Sequence, residues 1–161
     1  MSAPASGSPP PSAADAPPSR PIRILLVEDD ENDVRITRRA IEKGGLSAEI
    51  AVARDGQEAL DYLARRPPFT DAPRPDLVLL DINLPKLNGM EVLRTTKADP
   101  DLRSVPILML TTSSRPEDVA TAYAHGANTF ICKPIRFTRF VEVVRDVAEY
   151  WSRVARVPHA R

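Results

Sequence analysis

The segment DLVLLDINLPKLNGMEVL, residues 76–93, decides the fold because it joins an apolar run to an acidic residue, a turn and a helix-like segment. The run Leu77–Leu80 is apolar at consecutive positions, which is typical of a strand covered on both faces. Helical periodicity follows over Gly89–Ala98. The segment therefore predicts one strand–helix unit of an α/β protein, with Asp81 at the carboxyl end of the strand.

The same alternation continues on both sides of this segment. The other strand-like runs are IRILLV, SAEIAVA, VPILML and TFICK, and the helix-like segments that follow them cover residues 33–45, 55–66, 115–125 and 136–157. Parallel strands need crossovers of a dozen or more residues, which are usually helices. The sequence therefore predicts a five-stranded parallel sheet of the doubly wound type, with helices on both faces.

The two ends of the chain differ from this pattern. Residues 1–20 are almost entirely Ser, Ala and Pro, and such a segment cannot bury enough apolar surface to offset the entropy lost on ordering. Its only basic side chain is Arg20, which favours a disordered tail over a transit peptide. We expect one domain over residues 21–157, including an extended last helix, and a short tail over residues 158–161.

Composition excludes several classes of function. The 161 residues contain 22 basic and 22 acidic side chains, so the net charge is zero and gives no basic surface for nucleic acid. Apolar runs of about four residues are far shorter than the ~20 that a membrane span needs. Cys132 is the only cysteine and cannot form an intramolecular disulfide. We therefore expect a cytoplasmic protein with neither a nucleic-acid nor a membrane partner.

Acidic residues follow two of the predicted strands. Glu28, Asp29 and Asp30 come after the first strand, and Asp81 comes after the third. Ligands bind beyond the carboxyl ends of the strands in such sheets, and carboxylates crowded there repel one another unless a cation lies among them. Oxygen ligands suit Mg²⁺. For Asp30 the simpler interpretation is a helix N-cap, whereas Asp29 and Asp81 predict a metal site.

The fourth and fifth strands end in residues of a different kind. Thr111 supplies a hydroxyl and Lys133 an ammonium at the same edge of the sheet. Together with a metal ion they would surround the oxygens of a phosphoryl group in transfer. A carboxylate beside such a site can act as a nucleophile, so Asp81 is the candidate phosphoacceptor.

Four motifs in order carry a resemblance to a known family, namely ILLVEDD, DLVLLDINLPKLNGMEVL, PILMLTTSS and GANTFICKPI. Residues 22–151 closely resemble the receiver domain of bacterial two-component response regulators. The resemblance implies the CheY-like (flavodoxin-like) fold with strand order 2-1-3-4-5. It also implies that a sensor histidine kinase transfers a phosphoryl group to Asp81, in a signalling module rather than a metabolic enzyme.

The resemblance assigns further roles at the site. For a bound Mg²⁺ or Mn²⁺ it implies four ligands: Glu28 through water, Asp29 and Asp81 directly, and Asn83 through its backbone carbonyl. It implies that Thr111 is the switch hydroxyl, that Lys133 contacts the phosphoryl group, that Phe130 is the switch aromatic residue, and that the bond between Lys133 and Pro134 is cis. For Phe130, plain core packing remains the alternative.

Two segments depart from the plainest receivers. One is an insertion at residues 65–74, RRPPFTDAPR, and the other is a long last helix that ends in EYWSRVARVP. Both resemble small single-domain regulators that pair with phytochrome-type histidine kinases. The resemblance implies a kinase of that type, such as a bacteriophytochrome, and a signal that leaves through helix 4, strand 5 and helix 5.

Two other functions are compatible with parts of the pattern. Hydrolases of the haloacid dehalogenase type also use a strand-end aspartate and Mg²⁺, but they have a second aspartate two residues later, where this chain has Asn83. A non-phosphorylated receiver-like scaffold is the other alternative. The complete set of Asp29, Asp81, Thr111 and Lys133 argues against it.

The last helix has more apolar surface than one core requires. One stripe contains Phe137, Phe140, Val144, Ala148 and Trp151, and a second on its flank contains Val143, Val147, Tyr150, Val154 and Val157. Together they cover roughly 180°, against the ~100° of a core-facing stripe. The excess predicts a homodimer whose interface includes Val143, Val147, Tyr150, Trp151 and Val154. The alternative is that the helix frays after Trp151 and the flank packs under loops of its own chain.

Overall fold

The computed structural model describes residues 20–158. Its elements in chain order are β1 (Ile22–Val27), α1 (Glu31–Lys43), β2 (Ala48–Ala53), α2 (Gly56–Leu63), β3 (Leu77–Leu80), α3 (Gly89–Ala98), β4 (Ile107–Thr111), α4 (Pro116–Ala124), β5 (Thr129–Cys132) and α5 (Phe137–Glu149). One π-helical turn, Tyr150–Val154, follows α5. The expected tails, residues 1–20 and 158–161, lie outside the described residues except for Arg20 and Pro158, and the predicted domain limits stay a prediction.

The five strands form one parallel sheet in the order β2-β1-β3-β4-β5, as expected. β1 and β3 lie side by side, with Leu26 opposite Leu79. Because strand residues alternate between faces, the sheet separates two apolar cores. One core includes residues of α2, α3 and α4, and the other includes residues of α1 and α5. The doubly wound fold is therefore confirmed.

Short polar side chains fix where three of the helices begin. Asp30, Asp55 and Asn88 each precede a helix, and each side chain accepts a hydrogen bond from the backbone N–H three residues later. Such caps satisfy N–H groups that have no partner inside the helix. The N-cap role expected for Asp30 is confirmed, and Asp55 has the same role at the start of α2.

The last helix is shorter than the sequence predicts. Helical structure ends at Val154 rather than Val157, and its last turn is a π-turn in which the N–H of Ala155 donates to the carbonyl of Tyr150 at 2.7 Å. The backbone is already extended at Ala155, and Pro158 further disfavours helical backbone at Val157, the residue before it. The wider turn also changes the spacing of the apolar flank beyond Tyr150.

A charged contact fastens the amino-terminal end of the sheet. The buried carboxylate of Asp76, just before β3, accepts hydrogen bonds from Arg20 at 2.8 and 2.9 Å and from the N–H of Arg23 at 2.8 Å. Burial acts to raise the pKa of Asp76, but these donors outweigh it and hold the pKa below its ordinary value. Asp76 therefore joins β1 to the end of the 65–74 insertion loop.

Over residues 20–158, no helix has both the length and the apolar character needed to cross a membrane.

Candidate functional site

The acidic residues expected at the strand ends lie together. Glu28 and Asp29 follow β1, Asp81 follows β3, and one carboxylate oxygen of each lies within 4.8 Å of the others. Glu28 and Asp81 are buried, with 2% and 8% of their surface exposed, whereas Asp29 is exposed. The neighbouring positions of β1 and β3 in the sheet thus create an acidic pocket that is open on the side of Asp29.

Lys133 extends from the end of β5 into this acidic pocket. Its Nζ lies 2.6 Å from Oε2 of Glu28 and 3.8 Å from Oδ2 of Asp81. A third carboxylate, that of Asp33, is 3.7 Å away. Sequence reasoning missed Asp33, although it lies four residues after Asp29 in the acidic stretch that opens α1. The side chain of Lys133 is only 9% exposed, so water screens its interactions with the carboxylates less than it would at the surface.

The environment shifts the pKa values of both partners of the central ion pair. Burial raises the pKa of Glu28 to about 7, and the hydrogen bond from Lys133 opposes that rise. Burial acts to lower the pKa of Lys133, but Glu28, Asp81 and Asp33 outweigh it, and the pKa is raised. One ammonium therefore does not balance the negative charge of the pocket, and a further cation would stabilise the ionised carboxylates.

The donor set fits a divalent metal ion. Glu28, Asp29 and Asp81 offer oxygen atoms within 4.8 Å of one another, and oxygen ligands suit Mg²⁺ and Mn²⁺. The N–H of Asn83 donates to Oδ1 of Asp81 at 3.4 Å, which places the Asn83 backbone at the edge of the pocket. The expected ligand role of the Asn83 carbonyl stays a prediction.

The two expected switch residues lie on β4 and β5. Thr111 is fully buried at the end of β4, and its Oγ1 accepts a hydrogen bond from the N–H of Ser113 at 3.3 Å. Phe130 on β5 is half-buried and packs against the core beside α4. Its N–H donates to the hydroxyl of Tyr123 on α4 at 3.2 Å. The expected coupling between Thr111 and Phe130 stays a prediction.

The expected cis bond before Pro134 is wrong for this structure. Among residues 20–158 the cis peptide bond joins Pro67 to Pro68, and the bond between Lys133 and Pro134 is trans. The trans form is the lower in energy for most X–Pro bonds, and it suffices here. The N–H of Lys133 donates to the carbonyl of Thr111 at 2.7 Å, and the long lysine side chain still reaches Glu28.

Two glycines let the loop after Asp81 pack tightly, which sequence reasoning missed. A Cβ on Gly89 would lie 2.0 Å from the backbone oxygen of Asp81, and a Cβ on Gly56 would lie 2.1 Å from that of Leu87. No side chain fits at these distances. The loop is therefore held between the phosphoacceptor position and the start of α2, and the only sequence signal is the presence of glycine at a helix start.

Comparison with known proteins agrees with this geometry. The family model of the response regulator receiver domain matches residues 24–145. Response regulator Rcp1 of Synechocystis sp. is 34% identical over 137 residues, which cover 85% of this chain and 93% of Rcp1.

Two solved structures are similar along most of this chain. The phosphorylated cyanobacterial phytochrome response regulator RcpA has a TM-score of 0.82 at 36% identity, covering 86% of this chain and 99% of RcpA. The Mn²⁺-bound form of Rcp1 has a TM-score of 0.80 at 34% identity, covering 86% of this chain and all of Rcp1. The chain therefore belongs to the family of response regulator receiver domains, which are phosphoacceptor modules of two-component signalling rather than catalytic enzymes.

Proposed function

We propose that this protein accepts a phosphoryl group on Asp81 from a sensor histidine kinase of the phytochrome type. The position of Asp81 carries the proposal, because this buried carboxylate lies among Glu28, Asp29 and Lys133 at the carboxyl edge of the sheet. The kinase type rests on similarity to RcpA, a phytochrome response regulator, at 36% identity.

The reaction is a transfer between two nucleophiles. A carboxylate oxygen of Asp81 forms a bond to phosphorus while the P–N bond to the kinase histidine breaks. The electron pair of that bond returns to the imidazole nitrogen. Lys133 stays within reach of the oxygens on the transferred group, where its ammonium offsets their negative charge.

Asp29 and Asp81 directly, Glu28 through water, and Asn83 through its backbone carbonyl are the proposed ligands of Mg²⁺ or Mn²⁺. When bound there, such an ion would reduce the repulsion between the carboxylate nucleophile and the incoming phosphoryl oxygens. Glu28 contributes further by holding the ammonium of Lys133 at 2.6 Å, which places it in the pocket before phosphorylation.

Phosphorylation changes the surface formed by α4, β5 and α5. In this mechanism the Thr111 hydroxyl turns toward the phosphoryl group and leaves space that Phe130 fills. The shift selects one of two pre-existing conformations, since phosphorylation stabilises the one with the better contacts to the new group. The burial of Thr111 and the packing of Phe130 against the core beside α4 support this route.

The protein also forms a homodimer through α5 and the π-turn. Tyr150 and Val154 are 52% and 70% exposed, which is unusual for adjacent large apolar side chains. Val143 is half-buried, whereas Val147 and Trp151 already pack partly against their own core. The interface is therefore centred on Val143, Tyr150 and Val154, with Val147 and Trp151 at its base.

A phosphotransfer profile tests the proposal. The purified protein is mixed in turn with radiolabelled, autophosphorylated histidine kinases of the source organism, and transfer is followed over time. We expect the fastest transfer from a phytochrome-type kinase. Transfer at equal rates from unrelated kinases would refute the phytochrome pairing, and an absence of transfer from every kinase would refute phosphoacceptance.

A further inference from the structure

The helix α4 is attached to the rest of the domain by few apolar contacts. Within residues 20–158, each of the other four α-helices buries four residues, whereas α4 buries only Ala122. The N-cap of α4, Arg115, makes no side-chain capping hydrogen bond. Individual polar contacts therefore contribute a larger share of the free energy that fixes the position of α4 than they do for the other helices.

One polar contact joins Asp118 to Ser113. Asp118 lies in the first turn of α4, and its carboxylate accepts a hydrogen bond from the hydroxyl of Ser113 in the β4–α4 loop. The Ser113 hydroxyl in turn accepts the N–H of Arg115 at 3.4 Å. Both side chains are partly buried, which reduces competition from water. Asp118 thus stabilises the start of α4 through Ser113.

The same serine contacts the switch residue. Its backbone N–H donates to Oγ1 of Thr111 at 3.3 Å, while its side chain is held by Asp118. The two contacts place Ser113 between the buried hydroxyl at the end of β4 and the first turn of α4. A movement of Thr111 therefore acts on a residue that Asp118 restrains.

We propose that Asp118 is a positioning residue that, through Ser113, holds Thr111 and α4 in the unphosphorylated arrangement. The inference rests on the proposed function, since the switch requires the Thr111 hydroxyl to turn toward a phosphoryl group on Asp81. This rotation of the Thr111 side chain takes Oγ1 away from the Ser113 N–H. The β4–α4 loop then moves with Thr111 only when the hydrogen bond between Ser113 and Asp118 breaks. The bond therefore opposes the switch.

A contact present only in the unphosphorylated arrangement lowers the population of the switched one. Loss of the bond should consequently raise the affinity for a phosphoryl analogue that favours the switched arrangement. One hydrogen bond of ordinary net strength corresponds to roughly a threefold to tenfold change in that affinity.

The test compares Asp118→Ala with Glu117→Ala in the full-length protein. Glu117 lies in the same turn and carries the same charge, but it is exposed and pairs with Arg115 instead, at 3.8 Å. Each variant is titrated with beryllofluoride at saturating Mg²⁺, and the bound analogue is quantified by ¹⁹F NMR. We expect half-saturation at a concentration about three- to tenfold lower for Asp118→Ala than for Glu117→Ala and wild type.

Two further variants separate the hydrogen bond from charge and from folding. Asp118→Asn keeps an acceptor for Ser113, so it should bind the analogue nearly as wild type does. Ser113→Ala removes the same bond from the other side and should match Asp118→Ala. Unchanged or weaker binding by Asp118→Ala and Ser113→Ala would overturn the proposal, as would equal binding by Asp118→Asn and Asp118→Ala.

The outcome also distinguishes this inference from the proposed function. Binding by wild type that is lost in Asp81→Asn supports phosphoacceptance whatever the Asp118 variants do. No binding by wild type would overturn both.

Discussion

The ammonium of Lys133 lies 2.6 Å from the carboxylate of Glu28, the buried member of the acidic pair. These residues are 105 positions apart in the chain, and both are largely shielded from solvent. The lysine is therefore inside the acidic pocket before any phosphoryl group arrives. Its longer distance to Asp81, 3.8 Å, leaves the phosphoacceptor free of a short ion pair.

Lys133→Ala should destabilise the protein and slow its phosphorylation. The substitution leaves Glu28 buried without its cation, and breaking a buried ion pair typically costs about 3–5 kcal/mol. Urea unfolding measures the decrease in the free energy of unfolding, and added Mg²⁺ should restore part of that free energy. The matched control is Lys86→Ala, because Lys86 is exposed and pairs with Asp55 at 3.3 Å. That change should cost at most ~1 kcal/mol, and losses of equal size would contradict the assigned role of Lys133.

Asp81→Asn should abolish labelling by acetyl phosphate, because an amide is not a nucleophile. Asp30→Asn is the control, since asparagine caps a helix as well as aspartate does and Asp30 serves as the N-cap of α1. Labelling is measured by electrophoresis in gels that slow the phosphorylated protein relative to the unphosphorylated one. Equal labelling of both variants would refute Asp81 as the acceptor. EDTA should stop labelling of wild type, and labelling that persists would refute the metal site.

Thr111→Ala should still accept a phosphoryl group, because the nucleophile Asp81 is intact. It should transmit the resulting conformational change to α4 poorly, because the switch hydroxyl is missing. Hydrogen exchange of α4 amides before and after phosphorylation measures transmission. The exposed neighbour Thr112 provides the control variant Thr112→Ala, which should respond as wild type does. A full α4 response in Thr111→Ala would rule out the route through Thr111 and Phe130.

The contact between Asp76 and Arg20 should make stability depend on pH in the acid range. Because the pKa of Asp76 is lowered on folding, its contribution is fully present above its ordinary pKa of 3.8 and is lost as pH falls through the lower folded value. Asp76→Asn should therefore be less stable than wild type at pH 7, by about 1–3 kcal/mol. Urea unfolding at several pH values should show the difference constant down to about pH 5 and shrinking below pH 4. A stability difference between wild type and Asp76→Asn that grows toward low pH would contradict this prediction.

The double variant Val143→Glu/Val154→Glu should be monomeric and still accept a phosphoryl group, because charges at the exposed flank disfavour burial against a second copy. Light scattering at tens of micromolar measures the mass. Thr138→Glu adds a charge at an exposed position on the same helix and should remain dimeric. A wild type that is monomeric with and without beryllofluoride would refute the interface.

Local patterns in the sequence are sufficient to predict the order of the strands and helices and most residues of the site. Runs such as Leu77–Leu80 predict buried strands, and acidic or basic residues directly after such runs predict side chains at one edge of the sheet. Asp29, Asp81 and Lys133 could be assigned in this way, since the carboxyl ends of parallel strands meet at one edge. The caps Asp30 and Asp55 were also predictable, because capping depends on residues only three positions apart.

Tertiary structure alone decided which charged groups pair. The choice of Glu28 as the nearest partner of Lys133 and the approach of Asp33 depend on distances across the sheet that no local pattern encodes. The bond between Ser113 and Asp118 depends on the path of one loop. Periodicity determines which face of an element is buried, but side-chain partners are selected by packing among segments distant in sequence, where burial strengthens some ion pairs and solvent screens others.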